Sequence, residues 1–120
     1  MSSCGPNCNC TIFHQDVLNS VEENLLPDNK LTDIADFFKV MGDFTRIKIM
    51  EAIKDEELCV CDLGHLLGVT KSAISHQMRT LRKYNIVTSK KKGKMVYYRL
   101  NQDYISTMIE GANNYVGKLK

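Results

Sequence analysis

The chain has 120 residues, 43% of them apolar, with 16 basic and 14 acidic side chains and a formal net charge of +2. That length suits one compact domain with a modest core and is too short for two. The sequence contains no apolar run of about 18 residues, which argues against a transmembrane helix, and MSSCGPNCNC lacks the basic and apolar regions of a signal peptide. We therefore expect a cytoplasmic protein with no membrane partner.

The five cysteines need an explanation in a compartment that is expected to be reducing. Disulfide frameworks are rare there, and the number of cysteines is odd. Metal binding or redox chemistry is therefore the leading interpretation of these thiols.

The small net charge conceals an uneven distribution of charge along the chain. Residues 71–99 contain nine Lys or Arg and no acid, and all 14 acidic residues lie outside that segment. A run of charge is often only a solvated face, but an acid-free segment of this length favours a polyanionic partner.

Apolar spacing predicts three helices in the first half of the chain. Residues 1–14 form an arm that shows no periodicity. A first helix is expected over about 16–26 and a second over about 31–41, separated by a break at PDNK. Gly42-Asp43 precedes a third helix that is expected to end near residue 54.

The second half of the chain predicts a helix–turn–helix followed by a hairpin. Asp62 is expected to cap a short helix, Gly68 to form its C-terminal turn, and a longer helix to follow over about 71–84. The stretch IVTSKKKGKMVYYRL predicts two strands around a Lys-Gly turn, and a last helix is expected over about 103–118. This order indicates a mainly α fold with a small β-hairpin, a winged helix-turn-helix.

The longer helix has one apolar and one polar face. Ile74, Met78 and Leu81 share the face expected to pack inward, and the opposite face carries groups of the kind that meet bases and phosphates. With the lysine-rich hairpin tip, the candidate DNA-binding residues are Lys71, Ser72, Ser75, His76, Arg79, Lys83, Lys90, Lys91, Lys92 and Lys94. The alternative is an ordinary solvated helix face.

A single helix in one groove gives little specificity, so a module of this size is expected to read a palindromic operator in double-stranded DNA as a homodimer. The apolar first and last helices are candidate dimer surfaces, or they are simply core. Dimerisation and DNA binding are both assigned to residues 15–120, and residues 1–14 are interpreted as a cysteine-rich metal-binding arm.

The chain resembles the ArsR/SmtB family of metal-responsive repressors in three stretches: KVMGDFTRIKIMEAI, ELCVCDLGHLLGVTKSAISHQMRTLRKYNIV and GKMVYYRL. ELCVCDL matches the metal box of the family, and the other two motifs match its recognition helix and wing. Phe44 stands where many members have proline. The resemblance implies a homodimeric repressor whose metal-free form binds the operator of a resistance operon and is released by inducer metal.

The box supplies Cys59 and Cys61 as the first two candidate ligands. The positive end of a helix dipole favours an anionic thiolate, and thiolates select soft or borderline ions such as Cd(II), Pb(II), Zn(II) or As(III). Two ligands do not complete a shell that requires three or four.

The family resemblance separates the possible sources of further ligands. Arsenite sensors place a third cysteine one turn after the pair, where this chain has Gly64. Zinc and nickel/cobalt branches use carboxylates and histidines on the last helix, where Tyr104 and Tyr115 occupy what look like the histidine places. The arm then points to the CadC-type branch, which senses cadmium and lead and in which arm and box belong to different subunits.

The arm offers several donors whose register is ambiguous. Cys10 is the preferred third ligand, and His14, Cys8 or Cys4 would supply the fourth. The alternatives remain an idle arm and a solvated His14. Cd(II), Pb(II) or Zn(II) is the expected inducer, with As(III) less favoured.

Other functions on the same scaffold stay open. A thiol redox or persulfide sensor would use the same cysteines, and a constitutive DNA binder would use them to hold structural zinc. An enzyme is not expected, because the sequence shows no nucleophile–base pair, glycine-rich phosphate loop or paired carboxylates, and no small-molecule substrate is expected either.

Overall fold

The computed structural model describes residues 14–119. In chain order the elements are α1 (Gln15–Asn24), α2 (Asp28–Met41), α3 (Phe44–Ala52), β1 (Leu58–Cys59), α4 (Val60–Leu67), α5 (Lys71–Lys83), β2 (Val87–Lys92), β3 (Met95–Leu100) and α6 (Asp103–Lys118). None of the described helices is long and apolar enough to cross a membrane.

The chain divides into two compact units, Met1–Asp33 and Ile34–Lys120. In the first unit, the ten residues of α1 bury none of their side chains. The second unit contains the apolar core, to which α3, α4, α5 and the sheet all contribute. Its fully buried side chains are Ile49, Met50, Ile53, Leu63, Ile74, Met78, Leu81 and Ile86.

The sheet has three antiparallel strands in the order β1-β3-β2. β2 and β3 form the predicted hairpin, and Gly93 in its turn has φ of 62°. That left-handed backbone is where glycine avoids the steric cost that a Cβ imposes. β1 pairs with the other side of β3, with Leu58 opposite Tyr98 and Cys59 opposite Tyr97.

The helix–turn–helix follows the predicted boundaries closely. α4 ends at Gly68, whose φ of 70° gives a left-handed C-cap. α5 begins after Thr70, whose side chain accepts a hydrogen bond from the amide of Ala73. Capping by glycine and threonine fixes both ends of the turn.

Two predictions of local structure were wrong in detail. α2 begins at Asp28, because PDNK forms its first turn: the carbonyl of Pro27 accepts from the amides of Lys30 and Leu31. Proline at a helix start loses no hydrogen bond. At α4 the N-cap is Cys59, and Asp62 is the third residue of the helix.

The strand β1 was not predicted. It has only two residues, and its partner β3 lies almost forty positions later in the chain. The short strand nevertheless matters, because it joins the metal box, residues 57–63, to the wing, residues 87–100.

Candidate DNA-binding surface and metal box

The recognition helix α5 presents the predicted polar face. Ile74, Met78 and Leu81 are fully buried, so helical spacing directs the opposite residues outward. Ser75 is half-buried at the edge of that face, and the other α5 candidates are exposed: Lys71, Ser72, His76, Arg79 and Lys83.

The other helices hold α5 through a residue that sequence reasoning missed. Arg46 on α3 donates from Nε to Oε1 of Gln77 at 2.9 Å, and from Nη1 to the carbonyl of Val40 at 3.3 Å. Asp43 is the N-cap of α3, and its carboxylate accepts a hydrogen bond from the amide of Arg46 at 3.1 Å. The side-chain partner of Arg46, Gln77, lies 31 positions later in the chain, so only the fold reveals this contact.

The wing presents its cations in two ways. Lys90, Lys91 and Lys94 are exposed. Lys92 is also exposed, but its Nζ donates to Oε1 of Glu57 at 2.7 Å. That hydrogen bond is the main cause that lowers the pKa of the Glu57 carboxyl, with Lys90 and Arg99 adding to it. The predicted phosphate contact of Lys92 thus has an intramolecular competitor.

The two thiols of the metal box differ in their exposure to solvent. Cys59 is only 4% exposed, whereas Cys61 in the first turn of α4 is exposed, and both are free thiols. Asp62 closes a capping box back onto Cys59. Its Oδ2 accepts from the Cys59 amide at 3.4 Å and from the Cys59 thiol at 3.2 Å. A thiol and a carboxylate, both possible donors to a soft or borderline cation, are therefore adjacent.

Of the remaining candidate ligands, only His14 lies among the described residues. His14 is exposed just before α1, in the other unit of the chain. Cys4, Cys8 and Cys10 lie outside the described residues. Over residues 14–119 no three His, Cys, Asp or Glu side chains form a group that could hold a metal ion.

The position of Gly64 is tightly packed. A Cβ built on this buried residue would lie 3.0 Å from the carbonyl oxygen of Val69. The Gly64 carbonyl in turn accepts from the amides of Gly68 and Val69. The α4–α5 turn thus folds directly onto Gly64, so a side chain there would have to push backbone away.

Apolar side chains remain exposed on both terminal helices. On α1 they are Val17, Leu18 and Val21, and on α6 they are Tyr104, Tyr115 and Val116, followed by Leu119 at its C-cap. The second unit also has a groove of about 720 Å³ between the end of α2, α3 and α6, lined in part by Phe38, Met41, Ile109 and Val116. Apolar side chains that are exposed in groups are typical of an interaction site.

Comparison with known proteins agrees with this arrangement. A family model described as "Bacterial regulatory protein, arsR family" matches residues 43–89. The chain is 35% identical over 106 residues to the cadmium resistance transcriptional regulatory protein CadC homolog of Staphylococcus aureus, covering 88% of this chain and 87% of that protein. It is 32% identical over 103 residues to the transcriptional repressor SmtB homolog of Synechocystis sp., covering 86% and 78%.

A solved structure supports the fold. The homodimeric winged helix-turn-helix DNA-binding domain Mb0332 from Mycobacterium bovis, described as a possible ArsR-family transcriptional regulator, matches with a TM-score of 0.69 at 16% identity. The match covers 76% of this chain and 84% of that one. The winged helix-turn-helix prediction is confirmed.

Proposed function

The chain belongs to the arsR family of bacterial regulatory proteins, and from this premise we propose that it is a metal-sensing transcriptional repressor. As a homodimer it binds operator DNA in its metal-free form, and a soft metal ion bound to a thiolate-rich site releases it. Repressor and cadmium-resistance regulator are the names of its relatives.

One observation carries the proposal: two free thiols lie at the N-terminal end of α4, the first helix of the helix–turn–helix. Cys59 is the N-cap of that helix and Cys61 lies in its first turn. An ion that binds both sulfurs acts directly on the element that leads into the recognition helix. The ion weakens DNA binding only to the extent that it binds the conformation with low DNA affinity more tightly than the DNA-bound conformation. DNA then weakens metal binding by the same factor.

The DNA contacts follow from the exposed faces. Arg79 and His76 on α5 read base edges in a major groove, Ser72 and Ser75 assist near the helix start, and the wing lysines contact the backbone. A second copy of the chain covers the exposed apolar faces of α1 and α6, which places two recognition helices for a palindromic site.

The metal is held by Cys59, Cys61 and donors of the arm, residues 1–14. Cys10 is the preferred third ligand, with His14, Cys8 or Cys4 as the fourth. A bound metal ion would require three or four ligands, and residues of both the arm and the box would have to provide them. Asp62 positions Cys59, because its carboxylate accepts a hydrogen bond from the Cys59 thiol. A cation bound to that sulfur would take the place of the thiol proton.

The choice among ions follows from donor chemistry. Thiolates with one nitrogen or further sulfur suit Cd(II), Pb(II) and Zn(II). A three-thiolate As(III) site within α4 would require a cysteine at the crowded position of Gly64, so As(III) is the less favoured inducer.

Operator binding by the full-length protein under reducing conditions tests the proposal. Purified protein is titrated on operator DNA, then with Cd(II), Pb(II), Zn(II) or As(III), and sulfur-to-metal charge-transfer absorbance is followed in parallel. Release by a thiophilic metal and recovery with a chelator support the proposal. Release only by an oxidant, reversed by a reductant, would support the redox alternative.

A further inference from the structure

One side chain crosses the whole sheet of the wing. Lys92 stands at the end of β2, an edge strand, and its Nζ lies 5.3 Å from the centroid of the Tyr97 ring on β3, the central strand. Beyond that ring the same Nζ reaches Oε1 of Glu57 at 2.7 Å. Glu57 immediately precedes β1, the opposite edge strand. The ion pair therefore ties the two edges of the sheet together.

The acidic end of this tie lies in the metal box. Glu57 is two residues before Cys59, and Cys59 is the register partner of Tyr97, the residue that Lys92 crosses. Alternate residues of an extended segment point to the same side. A displacement of the Cys59 backbone therefore acts on the Glu57 carboxylate and on Tyr97 together.

The basic end belongs to the DNA-binding surface. Lys92 is one of four lysines that flank Gly93 in the hairpin, and its side chain is 47% exposed. Its ammonium is held by the Glu57 carboxylate, while Lys90, Lys91 and Lys94 are exposed toward a DNA backbone. The side chain of Glu57 is 32% exposed, so the pair is solvent-screened and of modest strength, which suits an element that opens and closes.

We propose that Glu57 is a positioning residue that transmits metal binding to the wing, through the clasp formed by Glu57, Tyr97 and Lys92. This inference rests on the proposed function. The clasp is closed in the metal-free, DNA-competent form and holds the wing in place. Cys59 is almost fully buried and its thiol is engaged by Asp62, so metal binding must shift the Cys59 segment. That shift opens the clasp and frees the wing.

The coupling ratio tests the clasp: the operator Kd with saturating Cd(II) divided by the Kd without metal. Glu57→Gln removes the charge that holds Lys92 and should lower this ratio about two- to fivefold, the range that an exposed ion pair supports. Glu56→Gln removes the same charge one residue earlier, at an exposed position, and should keep the wild-type ratio. General charge effects on DNA affinity cancel in the ratio.

Reversal of the pair separates transmission from a structural role. Lys92→Glu alone should lower the ratio as Glu57→Gln does, and the double variant Glu57→Lys, Lys92→Glu should restore it although its DNA affinity stays low. A readout without DNA is the set of ¹H–¹⁵N NMR signals on adding Cd(II). In the wild type both Cys61 and Tyr97 signals should shift, and in Glu57→Gln only those of Cys61.

The outcomes distinguish this inference from the proposed function. If none of Cd(II), Pb(II) and Zn(II) binds or releases the wild type, both fail. If the wild type is released but Glu57→Gln keeps the same ratio as Glu56→Gln, the clasp is overturned and the repressor proposal stands. The clasp is also overturned if the reversed pair behaves like Lys92→Glu, or if Tyr97 signals shift equally in Glu57→Gln.

Discussion

The Nε–H of Arg46 on α3 donates a hydrogen bond of 2.9 Å to Oε1 of Gln77 on α5, a residue 31 positions later. Through Nη1 the same guanidinium reaches the carbonyl of Val40 near the end of α2. One partly buried side chain thus joins three helices. Because Gln77 lies on the helix that presents Arg79, Arg46 helps to fix the orientation of the recognition helix without belonging to the exposed DNA-binding face.

Arg46→Ala is expected to lower the free energy of unfolding by about 1–3 kcal/mol, because it leaves two partly buried acceptors unpaired. Arg82→Ala, on the exposed side of α5, should change it by less than about 0.5 kcal/mol. Urea unfolding at equal protomer concentration measures both. Equal stability of the two variants would show that the Arg46 contacts contribute nothing.

Arg79→Ala is expected to weaken operator binding by about 1–3 kcal/mol and to relax sequence preference, because its exposed guanidinium is the best placed group for a guanine edge. Lys91→Ala should weaken operator and random DNA about equally and flatten the salt dependence, as for a phosphate contact. Fluorescence anisotropy on both DNAs at several salt concentrations provides the comparison. The assignment of the reading helix is wrong if Arg79→Ala keeps both affinity and preference.

Cys59→Ser and Cys61→Ser are each expected to keep operator binding and lose metal-driven release. Serine is a good N-cap, so Cys59→Ser keeps α4 intact, while loss of one thiolate leaves a soft ion with an incomplete shell. Cys10→Ser should also weaken release, to a degree set by substitution from Cys8 or Cys4. Operator release and charge-transfer absorbance are measured side by side.

Asp103→Ala is the matched control for the cysteine variants, since it removes a candidate donor from the start of α6. Induction should be unchanged. The thiolate site is refuted if the Cys59→Ser, Cys61→Ser double variant still releases DNA at the wild-type metal concentration, or if Asp103→Ala alone abolishes release.

Gly64→Ala is expected to lower the free energy of unfolding by about 1–3 kcal/mol, because its Cβ would press on the backbone oxygen of Val69. His65→Ala, at the next and exposed position, should cost much less. Gly64→Cys should be destabilised in the same way and gain no tighter As(III) binding. A stable Gly64→Cys variant with increased As(III) affinity would contradict this account of the turn.

The helix–turn–helix and the hairpin were predictable because their signals are local. The spacing of Ile74, Met78 and Leu81 alone directs one face of α5 inward, and all three are buried. Gly68 and Gly93 each mark a position where a turn requires a positive φ. The start of α2 was predicted wrongly because proline, read as a break, is equally suited to the first turn of a helix.

The sequence by itself determined the family, the fold class and the candidate residues, since periodicity, turn chemistry and motif spacing are properties of neighbouring positions. Only the tertiary structure decided how these residues are connected. It buries Cys59 and exposes Cys61, joins Lys92 to Glu57 over 35 positions, and packs Gly64 against the α4–α5 turn. Such pairings depend on chain closure, and no local pattern specifies which distant partner a charge or thiol meets.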